Sequence, residues 1–304
     1  MKNPIIRSIL VVALAAVPGA IQAQPDAHYV PGIEGIKCAT LPPPGFYLRD
    51  YNVFYQAGQI NNGAGDALPM VFQTMVYANV PRAIWITDTK IAGGNLGFDV
   101  VLPLVYTSVS VGSGYHESKF GIGDAYAEST LSWHPGQFDI GAAVGIWAPT
   151  GTSGTPVSPG TGFWTPELTL GVTWYADADK TWAVSLLNRY EFNSEDRDYQ
   201  ANNVTPGQAW TLEGGVSKTL KNVGTCVKAM DVGVVGYYQQ RITASTGNQP
   251  AAENLFPYSR VAAVGPEINL DFPYLTASFR YNYEFLADNR AQGQTVAVTL
   301  TKRF

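Results

Sequence analysis

Histidine is the side chain most suited to moving protons near neutral pH, and the chain has three: His28, His116 and His134. They show no metal-ligand spacing with one another or with the two cysteines. A lipid hydrolase would need a His within hydrogen-bond reach of a Ser; His116 with Ser113 and Ser118 is the one candidate, and neighbours in a loop explain it more simply. The glycines of "GSGYHESKFGIG" follow no phosphate-loop pattern. No catalytic site, metal or cofactor is expected from these residues.

The elements that would hold such residues are not those of a soluble enzyme. "MKNPIIRSILVVALAAVPGAIQA" has a basic start (Lys2, Arg7), an apolar run from Ile9 to Val17 and then small residues. That is a secretory signal pattern, with cleavage expected after Ala23. No other run nears the roughly 18 apolar residues of a membrane-spanning helix. Charged residues make up 14% and aromatic residues 12%, with 31 Gly, 17 Tyr and 7 Trp. A soluble domain carries about 25% charged residues, so this composition suits a β structure whose outside need not meet water. The net charge of −5 and the lack of a basic cluster exclude nucleic acid as a partner.

Alternation with a period of two recurs along the chain. In "YLTASFRYNYEFLAD", Leu275, Phe279, Tyr281, Tyr283 and Phe285 fall opposite Ser278, Arg280, Asn282 and Glu284. "TWAVSLLNRYEFN", "AWTLEGGVSKTL" and "TPELTLGVTWY" repeat it. Such segments lie near 46–58, 70–86, 95–111, 124–134, 137–149, 164–176, 181–193, 209–220, 230–245, 258–272, 274–287 and 294–304. An even set of about twelve suits an antiparallel up-and-down transmembrane β-barrel, an all-β fold, in a bacterial outer membrane. Short linkers at 134–137, 177–180 and 272–273 are expected as periplasmic turns. The long polar linkers 112–123, 150–163, 194–208 and 246–257 are expected outside, giving a strict alternation of lengths. Trp133, Trp174 and Trp182 then border one rim, and Trp164 and Trp210 the other, as an interfacial girdle requires.

Several stretches resemble a family named for the meta-pathway of phenol degradation, outer-membrane transporters of hydrophobic or aromatic compounds. "HYVPGIEG" followed by "PPPGFYLRDYNVFYQAG" is similar to the family's mature start. "GIGDAYAESTLSWHPGQFDIGAAVGIWAPTG", "GFWTPELTLGVTWYAD" and "DVGVVGYYQQRIT" are similar to later blocks, so the resemblance covers most of 28–304. The C-terminal "TVAVTLTKRF" resembles the sorting signal read by the barrel assembly machinery, with Lys302 as a departure on its apolar face. The resemblance implies a passive channel for small hydrophobic solutes, embedded in outer-membrane lipid; we expect it to be a monomer.

In such a barrel the polar faces point inward. They place Glu128, Glu167, Arg189, Glu191, Glu213, Glu267, Asp271, Arg280 and Glu284 along the lumen, where acids and Arg should pair; if water filled the lumen, it would disfavour anions. Residues 24–45 form a periplasmic tail, able to fold under or into the barrel (46–304) as a plug. Cys38 and Cys226, both exported and both expected on the periplasmic side, are expected to form a disulfide. Pro149, Thr150, Gly151 and Trp164 are expected to border the mouth, and Pro103 or Pro266 to interrupt the hydrogen-bond ladder. Two other readings stay open: a structural or adhesin-like barrel without transport, and an outer-membrane lipid-modifying enzyme.

Overall fold

A strand with one apolar and one polar face must bury one of them, and a closed sheet in lipid does so by turning its polar face inward. The computed structural model describes residues 27–248 and 257–304; the signal segment expected over 1–23 lies outside them. The strands are β1 (Gly45–Ile60), β2 (Phe72–Ile91), β3 (Gly94–Val101), β4 (Leu104–Val111), β5 (Tyr115–Ile122), β6 (Ala125–Trp133) and β7 (Phe138–Ala148). They continue with β8 (Thr165–Tyr175), β9 (Trp182–Glu191), β10 (Ala209–Lys221), β11 (Ala229–Arg241), β12 (Arg260–Asp271), β13 (Thr276–Asp288) and β14 (Ala291–Arg303).

Two pairs of these are halves of single strands. β3 and β4 part at Leu102 and Pro103, and β5 and β6 at Gly123 and Asp124. β3 pairs with β6 and β4 with β5, while the long β2 holds β4 along its first half and β3 along its second. Counted so, the barrel is a closed antiparallel ring of twelve strands, shut by β1 pairing with both β2 and β14.

Pro103 therefore marks an interruption, as its missing N–H requires. Pro266 stays in register with Val234 of β11, but its ladder to β13 lapses between the Val264–Tyr283 and Glu267–Arg280 pairs. The segment 112–123, expected as a loop, is mostly the strand β5, with only 112–114 turning outside. Its polar residues lie on both faces, which hid the alternation. The outside turn between β13 and β14 is also short, and the periplasmic connection 222–228 is longer than either, so linker lengths do not alternate strictly.

The outer surface carries the apolar band that lipid demands. Leu168, Leu170, Val172 and Trp174 of β8 are all exposed, alternating with buried Glu167, Gly171, Thr173 and Tyr175. Trp85, Trp174 and Trp182 ring the periplasmic rim and Trp164 the outer one. At the C-terminus Phe304 returns its amide to the Phe46 carbonyl (2.9 Å), and the Lys302 ammonium lies 4.7 Å from the Phe304 ring centroid. One polar seam breaks the band. Asp50 accepts from Asn52 and Asn79 (2.8 Å each), and Tyr77 donates to Asn52 (2.9 Å), so these groups satisfy one another.

Leu170 is 60% exposed near mid-strand. Leu170→Arg is expected to cost about 2–4 kcal/mol, read as a lower urea midpoint for the barrel folded in liposomes.

Candidate functional site

The inward faces are unequal. β8 to β13 present Glu167, Arg189, Glu191, Glu213, Glu267, Arg280 and Glu284, all buried. On the outer side of Arg49 and Arg82, β1, β2 and β4 present Val53, Val76, Ala78, Val80 and Val105, with Tyr51, Tyr55, Thr74 and Thr107 among them. Buried charges need partners, and the N-terminal tail supplies them by running the length of the lumen.

Near the periplasmic rim, Tyr47 and Arg303 donate to the carbonyls of Pro43 and Pro44 (2.8 Å each). Further in, Thr40 meets Thr173 (3.0 Å), the Ala39 amide donates to Ser185 (3.2 Å), and Lys37 pairs with Asp231 (2.9 Å). Glu267 takes the Ile36 amide (3.0 Å) and Arg280 Nε (2.6 Å), while Arg280 Nη1 reaches the carbonyls of Gly32 and Ile33 (2.6 and 2.8 Å). Glu191 Oε1 accepts the amides of His28 and Tyr29 (2.9 and 3.1 Å), and the Tyr29 hydroxyl bonds Glu213. Small residues in the wall leave room for this path. A Cβ at Gly171 would lie 2.6 Å from Ala39 Cβ, and one at Gly141 2.7 Å from Leu41 Cδ1.

Glu34 is the centre of the assembly. It pairs with Arg82 (2.7 Å) and Arg49 (3.1 Å), lies 3.5 Å from Arg189, and accepts from Tyr51 (3.2 Å). Arg82 also forks onto Asp99 (2.8 and 2.9 Å) and reaches Glu128 (2.5 Å). Arg189 bonds Glu167, which also takes Tyr126 (2.8 Å) and Trp147 (3.1 Å). Glu284 accepts from Tyr55, Tyr237 (2.9 Å each) and the Gly293 amide (2.8 Å).

The tail ends at the opposite mouth. His28, expected on the periplasmic side, sits among outer residues: its Nε2 lies 3.0 Å from Asp124 and 2.5 Å from the Thr161 hydroxyl. Its ring stacks on Trp147 and meets Phe163 edge-on. Asp124 gathers this corner, accepting from the amides of Gly151 (2.8 Å) and Thr161 (2.7 Å).

Two other expectations are corrected. Cys38 and Cys226 are both free thiols: Cys38 sits inside the lumen, 3.3 Å from Ser185 Oγ, whereas Cys226 is exposed in the turn 222–228. The tail enters the barrel rather than lying under its rim, which separates them. Asp271 is exposed at the periplasmic end of β12, accepting from Thr276 (3.2 Å), and lines nothing. Of the inward acids, Glu191, Glu213 and Glu267 are engaged by the tail, and Glu128, Glu167 and Glu284 by Arg and Tyr side chains of the wall.

Between Val30, Pro31 and Ile33 of the tail and the apolar wall of β1, β2 and β4 lies a cavity of about 250 Å³. A smaller space of about 60 Å³ lies nearer the periplasm, beside Cys38 to Pro42. Glu34, Arg82 and Arg189 border both and so form the partition. Ser158, Pro159, Gly160 and Thr161 roof the larger one. The mouth residues hold that roof down. Thr150 accepts the Ala125 amide (2.9 Å), and Arg197 reaches the carbonyls of Pro149 (2.6 Å) and Gly151 (2.8 Å). Trp164 stays exposed, its amide donating to Ser194 (3.0 Å). In the same roof, burial pushes the Asp196 carboxyl up to about 6, with the charge of Asp198 adding to the effect.

The family described as "Putative MetA-pathway of phenol degradation" matches residues 57–300. The chain belongs to this family. Among solved structures, an outer-membrane channel from Pseudomonas putida F1 superposes with a TM-score of 0.75 at 13% identity, covering 88% of this chain and 97% of that one. The translocator domain of the autotransporter NalP from Neisseria meningitidis gives 0.50 at 9% identity, covering 90% and 91%. No curated protein sequence matches. This family member is an outer-membrane β-barrel.

His116 accompanies neither Ser113 nor Ser118; half-buried Ser110 on β4 is its partner (2.9 Å), and His116 itself is exposed on the outer hairpin. His134 lies at the other end of the barrel, 2.8 Å from Asp139. Among the described residues no three His, Cys, Asp or Glu side chains are placed together to hold a metal ion.

The sequence reading missed Glu34, Arg49, Arg82 and Asp99. Arg49 adjoins Asp50, one charge on each face, and Arg82 shares its face with Ile84 and Ile86, so alternation marked neither. Glu34 belongs to no strand and has no periodicity to betray it. Glu34→Ala leaves Arg49 without an acidic partner and removes one carboxylate from Arg82 and Arg189, which keep Asp99, Glu128 and Glu167; the expected cost is about 3–5 kcal/mol, accompanied by a larger single-channel conductance as the tail loosens.

Proposed function

We propose that the protein is a channel for passive uptake of small hydrophobic compounds, aromatic ones among them, and that it performs no chemical step. The cavity carries this reading. It is walled by valines and prolines, and the Tyr, Glu and Arg side chains at its margin are engaged with one another rather than with a solute. An apolar cavity of about 150 Å³ accepts benzene, so a space of about 250 Å³ suits a molecule of one or two rings. The family description, which names phenol degradation, and the likeness to a bacterial outer-membrane channel support the same reading. Onward passage requires the partition of Glu34, Arg82 and Arg189 to open or the wall at Pro103 to part. We propose further that the barrel acts as a monomer and is assembled through its C-terminal strand.

Binding of naphthalene to the purified barrel, followed by its own fluorescence, tests this. Ala78→Trp fills the cavity and is expected to weaken binding at least about tenfold, or 1.4 kcal/mol, with folding unchanged. Equal binding by this variant, or no uptake of naphthalene into proteoliposomes, would favour a structural barrel. Lipids altered on incubation with the protein would favour an enzyme.

The roof makes a separate prediction. Val157 is fully buried and belongs to a cluster with Ile60, Phe72 and Val109, so 150–163 folds down over the cavity. Deleting 153–162 is expected to speed naphthalene entry while the barrel keeps its heat-modifiable migration.

A further inference from the structure

The tail carries an aromatic ring to the partition, and that ring has the chemistry of a solute. Tyr29 is buried there, its ring under the Arg189 guanidinium, whose Cζ is 4.2 Å from the ring centroid. Its hydroxyl donates to Glu213. Tyr29 borders the larger cavity, and Arg189 borders both spaces. Leu187, opposite Glu213 in the ladder between β9 and β10, lines the smaller one. The ring therefore stands between the two.

Glu213 differs from the other inward acids. Glu128, Glu167, Glu267 and Glu284 each lie within ion-pair distance of a wall Arg, and Glu191 takes two tail amides. Among the described residues Glu213 pairs with no Arg, Lys or His. The Tyr29 hydroxyl is its side chain's one hydrogen-bond partner there, and its Oε2 is buried without any. A buried carboxylate so placed is costly unless a hydroxyl reaches it. The wall thus offers a cation to a ring face and a carboxylate to the hydroxyl on that ring, which are the two contacts a phenol needs. The backbone of Tyr29 is anchored separately: its amide donates to Glu191 (3.1 Å) and its carbonyl accepts from Gln239 (3.0 Å). A change of side-chain rotamer can therefore swing the ring into the cavity it borders while the tail stays in place.

We propose that Tyr29 is a stand-in for the solute: it fills a binding place for a hydroxylated one-ring aromatic, formed by Arg189 and Glu213, and a phenolic solute in the cavity displaces it. The proposal rests on the reading of the cavity as a solute site and adds a chemical selection to it. A hydrocarbon in that place would leave Glu213 without a hydroxyl. Sites built around a substrate hydroxyl reject the analogue that lacks it by up to about 10⁴–10⁵. The valine-lined cavity admits both kinds of ring, and the Glu213 place admits the hydroxylated kind.

The test is calorimetry on the whole purified barrel with para-cresol, which is the Tyr side chain as a free molecule, and with toluene, which lacks only the hydroxyl. Tyr29→Phe keeps the ring but gives up the bond to Glu213, so it competes less well for the place. Its affinity for para-cresol is expected to rise at least about tenfold, the size of a hydrogen bond to a charged group, with toluene binding unchanged. Tyr29→Ala empties the place and is expected to bind an additional para-cresol but no additional toluene. Tyr175→Phe breaks a like pair with Asp139 (2.6 Å) nearer the periplasm and should alter neither. If Tyr29→Phe leaves the affinity for para-cresol unchanged, Tyr29 only holds the tail, and the proposal falls. A Tyr29→Ala barrel that keeps its heat-modifiable migration yet takes up no further para-cresol overturns it equally. Toluene failing to bind the parent would remove the cavity reading itself, and the proposal with it.

Discussion

One carboxylate inside the barrel, that of Glu34, meets three guanidinia, and the rest of the interior depends on that meeting. Arg49, Arg82 and Arg189 come from β1, β2 and β9. Asp99 and Glu128 hold Arg82 and Glu167 holds Arg189 from the wall side, but without Glu34 between them the three guanidinia would face one another and Arg49 would have no acid, and like charges at close range are costly. The chain supplies the acid from its own tail. Tail and barrel wall are therefore parts of one electrostatic structure, and Asp99, Glu128 and Glu167 extend it to the neighbouring strands.

The path of the tail determines where a solute can sit. It follows the polar wall from β8 to β13, because that wall offers carboxylates to its amides and guanidinia to its carbonyls. On the outer side of Arg49 and Arg82, the valine-lined part of β1, β2 and β4 offers neither, so the tail leaves it bare, and the cavity forms there. The same side of the barrel contains the strand breaks at Leu102–Pro103 and Gly123–Asp124. Asp124, freed from the ladder by the second break, becomes the point where His28 of the tail and Thr161 of the roof are joined. The floor, the wall and the roof of the cavity are thus physically connected.

Much of the barrel was legible in the sequence because lipid imposes a rule that each strand obeys by itself. Leu168, Leu170, Val172 and Trp174 must face out, so Glu167, Thr169 and Thr173 must face in, and no distant contact is needed to know it. For the same reason Glu167, Arg189, Glu213, Glu267, Arg280 and Glu284 could be assigned to the lumen. Segment β5 escaped because it rises beyond the apolar band, where both faces may be polar, and Asp271 was misassigned because parity alone does not report the rim.

The alternating strands, their number and the inward acids were thus determined by local sequence, since period-two patterning is a property of a few consecutive residues. Which acid meets which base, that Cys38 lies inside and apart from Cys226, and that His28 reaches the outer mouth were decided only by the tertiary structure. Glu34 and Arg82 are 48 residues apart, and Glu34 and Arg189 further still. The tail has no repeating pattern of its own; its course exists only as the complement of a wall that closes after the last strand has paired with the first.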